Sequence, residues 1–183
     1  HTVAPLNKFF ESIGMELFDT RRVDIQGGSI RSFVQMPGGK HHVSSSVEKL
    51  ILLEINEGLT NVPDLETFQA KIDVVKSNLS QLLKDIKESG KSIAGYGAPT
   101  KSTTLMNYFE LNEDLIDYII DDNPLKQGKY SPLLHIPIVS SDYLVGASQP
   151  DYLLILAWNF AESIIEKVKK SGDFAGKYII PLP

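Results

Sequence analysis

The spacing of apolar positions along this 183-residue chain changes character near residue 91. In the first half, Ala4, Leu6, Phe9, Phe10 and Ile13 fall near helical spacing and Gly14 supplies a stop, which predicts a short helix over 4–13. Glu16-Leu17-Phe18-Asp19 reads as a strand within 15–25. Gly27-Gly28 is a turn, and residues 29–35 alternate through Ile30, Ser32 and Val34 as a second strand. A lone hairpin is marginally stable in water, so these strands are expected to come from the edge of a larger sheet. Pro37-Gly38-Gly39-Lys40 is a loop, and Ser44-Ser45-Ser46 with Glu48 opens a helix at about 47–57.

After a break over 58–63, a long helix is expected at about 64–88, with Asp64 near its start and Gly90 as its stop. Its apolar stripe is Leu65, Phe68, Ile72, Val75, Leu79, Leu82 and Ile86, a heptad pattern. Such a stripe suits either a coiled-coil seam or packing against a neighbouring helix or sheet. Three heptads are short for a seam, so internal packing and a monomeric chain are expected.

From Lys91 the rhythm becomes short apolar runs separated by amphipathic segments. Strands are expected at 92–96, 117–121, 152–157 and 176–180, with an extended piece at 136–139. Helices are expected at 102–110 and 160–170, with a short one capped by Ser140 or Ser141. Continuous rather than alternating apolar strands, interleaved with helices, predict an α/β domain with a Rossmann-like parallel sheet flanked by helices.

Composition narrows the chemistry. A net charge of −5 argues against a broadly basic nucleic-acid surface. The absence of cysteine removes disulfides, thiolate nucleophiles and thiolate-bound metals. The histidines (His1, His41, His42 and His135) lack metal-ligand spacing, so no metal is expected. No apolar run reaches the ~18 residues of a membrane helix, and a cytoplasmic protein is the default expectation. The chain starts at His1 without a methionine and reads as an excised fragment.

Candidate chemistry collects where strands end. Gly95-Tyr96-Gly97-Ala98-Pro99-Thr100-Lys101 joins a strand to a helix. Glycines there allow a tight turn and a close backbone approach, the helix start offers N–H donors, and Lys101 adds a cation, a combination suited to phosphate. The same glycines also suit a plain strand–helix turn. Asp121, with Asn123, ends the next strand, where dinucleotide folds place an acid on ribose hydroxyls; capping acids in a turn fit equally. Lys126, Gln127, Lys129 and Tyr130 share one loop that could meet a diphosphate or simply be solvated, and His135 follows it. Trp158 and Asn159 close the most apolar strand; Trp158 offers a stacking face, and Asn159 is expected to cap the next helix.

These blocks, in this order, resemble a known family. Gly95–Lys101, Asp121-Asp122-Asn123-Pro124 through Tyr130, His135-Ile136-Pro137-Ile138, Ala157-Trp158-Asn159-Phe160 and Ile180-Pro181-Leu182-Pro183 are similar to the C-terminal domain of S-adenosylmethionine-dependent sugar C-methyltransferases. Upstream, Asn7–Phe10, Gly14–Leu17 and Gly27–Arg31 look like the tail of that family's methyl-donor domain. The resemblance implies a parent enzyme that methylates a keto-sugar carried on a nucleoside diphosphate. It divides the chain into a donor-domain remnant over 1–40, connecting helices over 41–90, and a nucleotide-sugar-binding domain over 91–183. Gly95, Tyr96, Gly97, Ala98, Lys101, Asp121, Asn123, Lys126, Gln127, His135, Trp158 and Asn159 would then face the substrate. The family's Glu-His-x-Ser-Tyr stretch, which carries the proposed base, does not occur in the chain. The resemblance therefore implies S-adenosylmethionine as cofactor of the parent, none bound to this segment, no catalytic residue here, and the rest of the parent polypeptide as partner. Where the family has a glycine after Lys101 this chain has Ser102, and Asp122 stands where a basic residue is usual. Two other readings stay open: an NAD(P)-type nucleotide-binding module of an oxidoreductase, and a non-catalytic oligomerisation domain built on the heptad helix.

Overall fold

A computed structural model describes residues 2–60, 62–146, 149–172 and 174–182, without the side chains of Gln26, Val62 and Asp64. His1, Pro183 and the side chain of Asp64, all used above, lie outside the described set. The chain divides into two units, His1–Lys71 and Ile72–Pro183.

The first unit holds helix α1 (Val3–Ser12), the antiparallel hairpin β1 (Glu16–Val23) and β2 (Ser29–Gln35), and helix α2 (Ser45–Asn56). Its core is small: Val3, Leu17 and Val47 are buried, with Phe10, Ile30, Val34, Leu50 and Ile51 packed against them. Polar contacts do much of the joining. Ser44 caps α2, its hydroxyl accepting from the Ser46 amide at 3.2 Å. Ser46 in turn donates to Asp19 at 2.7 Å and accepts from the Thr20 amide at 3.0 Å, fastening α2 to β1. Glu54, nearly buried on α2, accepts the first two amides of α1, from Val3 and, at 2.8 Å, from Ala4. A side chain from elsewhere in the chain thus satisfies donors that a helix start leaves open.

Helix α3 (Val62–Glu88) begins in the first unit and ends in the second. Its C-terminal half packs inward through Ile72, Val75, Leu79, Leu83 and Ile86. The heptad reading therefore needs correction at three positions: Leu65, Phe68 and Leu82 are exposed, and Leu83 is fully buried in place of Leu82. A helix facing a sheet follows 3.6 residues per turn, and the inward stripe drifts off a strict seven-residue repeat by one position here.

The second unit is a five-stranded, all-parallel sheet. Its strands are β3 (Ile93–Tyr96), β4 (Tyr118–Ile120), β5 (Ile138–Val139), β6 (Tyr152–Ile155) and β7 (Lys177–Ile179), in the spatial order β5-β4-β3-β6-β7. Helix α4 (Thr100–Phe109) joins β3 to β4, and α5 (Ala161–Ser171) joins β6 to β7. Both faces are covered, which is why the strands read as unbroken apolar runs. Ile93, Ile119, Leu154 and Leu156 face α3 and α4 together with Leu105, Met106 and Phe109. Ala94, Tyr96, Ile120, Leu153 and Ile155 face α5 and the short 3-10 turn Ser141–Leu144, contributing with Leu144, Ala161 and Val168. Ser140 caps that turn, accepting from the Asp142 amide. At the amino ends of the strands, the Asp151 carboxylate accepts from the Ser92 amide, the Ser92 hydroxyl and Lys91. Those donors, led by the Ser92 amide, hold its pKa down at about 2.

Successive crossovers run outward from β3 in one direction and from β6 in the other, so the order reverses between them. Open α/β sheets bind ligands in the crevice at the carboxyl ends of such a pair.

Candidate functional site

The carboxyl end of β3 runs straight into the glycine loop. Gly97 has φ +88°, a left-handed conformation that a residue with a Cβ adopts only at a cost. A Cβ at Gly97 would stand 2.7 Å from the Cβ of Ala157, and one at Gly95 would stand 2.5 Å from Leu156 Cδ1. Both glycines therefore let β3 and the end of β6 lie close together. The loop amides are committed as well: Gly97 donates to the Ile120 carbonyl at 2.7 Å, and Ala98 to Asp121 Oδ2 at 2.7 Å. The open donors begin one turn later. Pro99 precedes α4 without a side-chain cap, and the amides of Thr100 and Lys101 have no partner among the described residues.

Asp121 ties this corner together. Its Oδ2 accepts from Ala98 and from Lys126 Nζ (3.1 Å), and its Oδ1 from the Asn123 amide (2.9 Å). Burial alone would raise its pKa, but the Ala98 and Asn123 amides and the Lys126 ammonium outweigh that and hold it below the usual carboxylate value. Lys126 also donates to the Ala98 carbonyl at 2.9 Å, and Gln127 Nε2 donates to the Asp121 carbonyl at 3.0 Å. Asn123 closes a local turn by accepting from the Leu125 amide at 3.0 Å. The strand end, glycine loop and lysine loop are thus one hydrogen-bonded unit, and both carboxylate oxygens of Asp121 are engaged inside it.

Lys101 is different. Its ammonium nitrogen is buried and has no hydrogen-bond partner among the described residues. It lies 5.1 Å from the centre of the Trp158 ring and 5.3 Å from that of Phe160. Cation–π contacts of this kind partly replace hydration without neutralising the charge. An ammonium without a hydrogen-bond partner among the described residues, beside a helix start at the sheet's reversal point, can accept an anion.

The remaining candidates sit around this centre. Trp158 and Asn159 belong to a 3-10 turn, Trp158–Phe160, that leads into α5. Phe160, one residue after the expected Asn159, occupies the N-cap position of α5. Phe160, read from sequence as part of the helix, is the second wall around Lys101. Tyr96 points to the opposite face of the sheet, where its hydroxyl contacts the Asp122 carboxylate at 3.0 Å and Lys167 pairs with that carboxylate at 2.6 Å. Burial, then the Asp122 charge, raises the Tyr96 pKa. His135 stands at the far end of the lysine loop beside Tyr130, Ser131 and Pro132, with φ +51°. Among the described residues no group of three or more metal-ligating side chains converges, and no helix is long and apolar enough to cross a membrane.

Comparison with known proteins gives this geometry a family. Residues 24–183 match the family described as the C-methyltransferase C-terminal domain. The chain belongs to that family. It is also 34% identical, over 182 residues, to the C-methyltransferase NovU of Streptomyces niveus. The match covers all of this chain but 43% of NovU, so the chain spans less than half the length of this relative. Within the C-methyltransferase domain, the family match takes in the whole parallel sheet, the glycine loop, Lys101 and the Trp158–Phe160 turn.

Proposed function

We propose that the Ile72–Pro183 unit is the substrate-binding module of a sugar C-methyltransferase, and that it holds the diphosphate of a nucleoside diphosphate sugar at the start of α4. The observation that carries this reading is the Lys101 ammonium, buried and unpaired between Trp158 and Phe160 beside the open amides of Thr100 and Lys101. A diphosphate supplies the acceptor oxygens and the charge that this corner lacks, and charge-assisted bonds of this type are the strong ones. Asp121 and Lys126 position the loop through their bonds to Ala98 and to each other. In an NAD(P)-type role Asp121 would have to accept from ribose with both its oxygens already engaged within the corner.

In this reading S-adenosylmethionine is the parent enzyme's methyl donor and is bound by residues outside these 183. The parent removes a proton next to the sugar ketone and transfers a methyl group to the resulting carbanion, while this unit fixes the sugar's position through its diphosphate.

Trp158, the sole tryptophan, reports on the site directly. Titration with inorganic pyrophosphate, UDP and dTDP is expected to shift its fluorescence saturably as Lys101 turns from the rings towards the anion. No saturable change and no heat of binding at millimolar ligand would refute the reading.

A further inference from the structure

The corner around the Lys101 ammonium offers it aromatic faces and no acceptor. The nitrogen is buried, has no hydrogen-bond partner among the described residues, and lies 5.1 Å from the Trp158 ring centre and 5.3 Å from that of Phe160. Both distances are inside the ~6 Å range of cation–π attraction. Trp158 is half-buried and Phe160 is 47% exposed, so the ring pair is reachable from solvent. Both rings belong to one short segment, the 3-10 turn Trp158–Phe160, whereas Lys101 belongs to the first turn of α4. The rings and the cation they hold are therefore on separate elements. The ammonium can leave the rings without breaking a hydrogen bond, because it makes none.

An ammonium suits such a corner poorly. It carries three N–H donors, and here none has a partner among the described residues. An onium centre, a sulfur or nitrogen whose substituents are all carbon, carries the same charge with no donor to satisfy. Aromatic faces without acceptors recognise this class of cation. The family match gives such a cation a role, since a methyl group on a positively charged sulfur is activated for transfer to carbon.

We infer that Trp158 and Phe160 form a binding corner for an onium cation, the charged sulfur of a methyl donor being the fitting occupant, and that Lys101 fills this corner until an anion draws it away. The exchange rests on the diphosphate reading of the α4 start; the corner itself does not. Anion and onium then bind in order, because the first vacates the place of the second. Only the charged centre of the donor meets these rings, and the rest of it stays with residues outside the 183.

The experiment uses the 183-residue chain as wild type, Lys101→Ala and the double variant Lys101→Ala/Phe160→Leu. The indole N–H resonance of Trp158, the sole tryptophan, is the reporter. The probes are tetramethylammonium and trimethylsulfonium chloride, set against sodium chloride at equal ionic strength and tert-butanol as an uncharged body of similar shape. Melting curves check that the variants fold. Lys101→Ala is expected to bind both onium probes saturably and about tenfold or more tighter than wild type, the effect of one cation–π contact. Sodium and tert-butanol should give no saturable shift, and the double variant should lose most of the gain. No saturable onium shift in Lys101→Ala, an equal shift with tert-butanol, or an unchanged affinity in the double variant overturns the corner. Inorganic pyrophosphate should raise onium affinity in wild type about as much as Lys101→Ala does, and add little in that variant. Pyrophosphate that binds wild type without this coupling, or couples equally in the variant, overturns the exchange and leaves the diphosphate reading standing. Pyrophosphate that does not bind at all overturns that reading and the exchange together, while the Lys101→Ala result still decides the corner.

Discussion

Replacing Lys101 with methionine separates a binding role from a structural one by the signs of two measurements. Methionine keeps the packing of the unbranched stem and removes the ammonium group with its charge and donors. In the free protein the ammonium gains cation–π attraction from Trp158 and Phe160, at 5.1 and 5.3 Å, worth about 0.5–2 kcal/mol each. Against this stands the cost of a buried donor without a partner, about 1–3 kcal/mol and more for a charged group. The two nearly cancel, so Lys101→Met should change stability by less than about 1 kcal/mol, or roughly 2–4 °C in melting temperature for a chain of this size. With a diphosphate bound, the same change removes a charge-assisted contact worth about 1.5–3 kcal/mol, a loss of roughly 10- to 150-fold in affinity. Wild-type affinity should also fall with added salt, as the Debye length contracts from about 10 Å at 0.1 M to about 3 Å at 1 M, and the variant's should depend on salt less. Thermal melts and calorimetric titration with UDP test both halves. A variant that melts well below wild type while binding UDP unchanged would show that Lys101 is a structural cation and refute the argument.

Three further outcomes follow from the geometry. Gly97→Ala should destabilise by at least about 1–2 kcal/mol through its left-handed φ, with an additional loss from the Ala157 contact. Gly128→Ala has a similar φ of +76° and nothing near its Cβ, so it should show the backbone cost alone, and paired urea titrations read the difference. Leu83→Ala should cost about 2–5 kcal/mol and Leu82→Ala under about 1 kcal/mol, because the first is fully buried and the second exposed; equal effects would restore the strict heptad stripe. Acid should weaken the second unit in a defined window. Asp121 and Asp151 both have folded pKa values below that of a free aspartate, Asp151 at about 2, so their stabilisation is complete above about pH 4 and is lost as pH falls through the folded values. Asp151→Asn should flatten the acid limb of a urea-midpoint profile between about pH 4 and 2.

The strands of the second unit were legible because burial on both faces leaves unbroken apolar runs such as Leu153–Leu156, and the turns between them are marked by glycine and proline. The hairpin was legible from Gly27-Gly28 and the alternation after it. What stayed hidden depends on contacts that spacing does not encode. Leu82 and Leu83 are equally apolar, and only the angle at which α3 meets the sheet chooses between them. The glycines are read as a ligand cradle, and their second reason lies far along the chain: a Cβ there would meet Leu156 and Ala157, some sixty residues on. Asp121 stood where a ribose acceptor is expected, and its donors are the amides of its own corner. Phe160 gave one usable signal, an aromatic two residues after Trp158 at a strand end, but helical periodicity gives the same position a plain packing role.

The knot around Asp121 also has an evolutionary meaning. Because it fixes the start of α4 through groups that need no ligand, the neighbouring rim is free to vary. Leu125, Lys129 and Tyr130 project from a scaffold whose internal bonds are mostly made by backbone atoms. Substitutions among them change the chemistry of the exposed rim while the bonds that hold the start of α4 stay in place. Such a layout lets exposed side chains be exchanged one at a time at little cost to the fold beneath them.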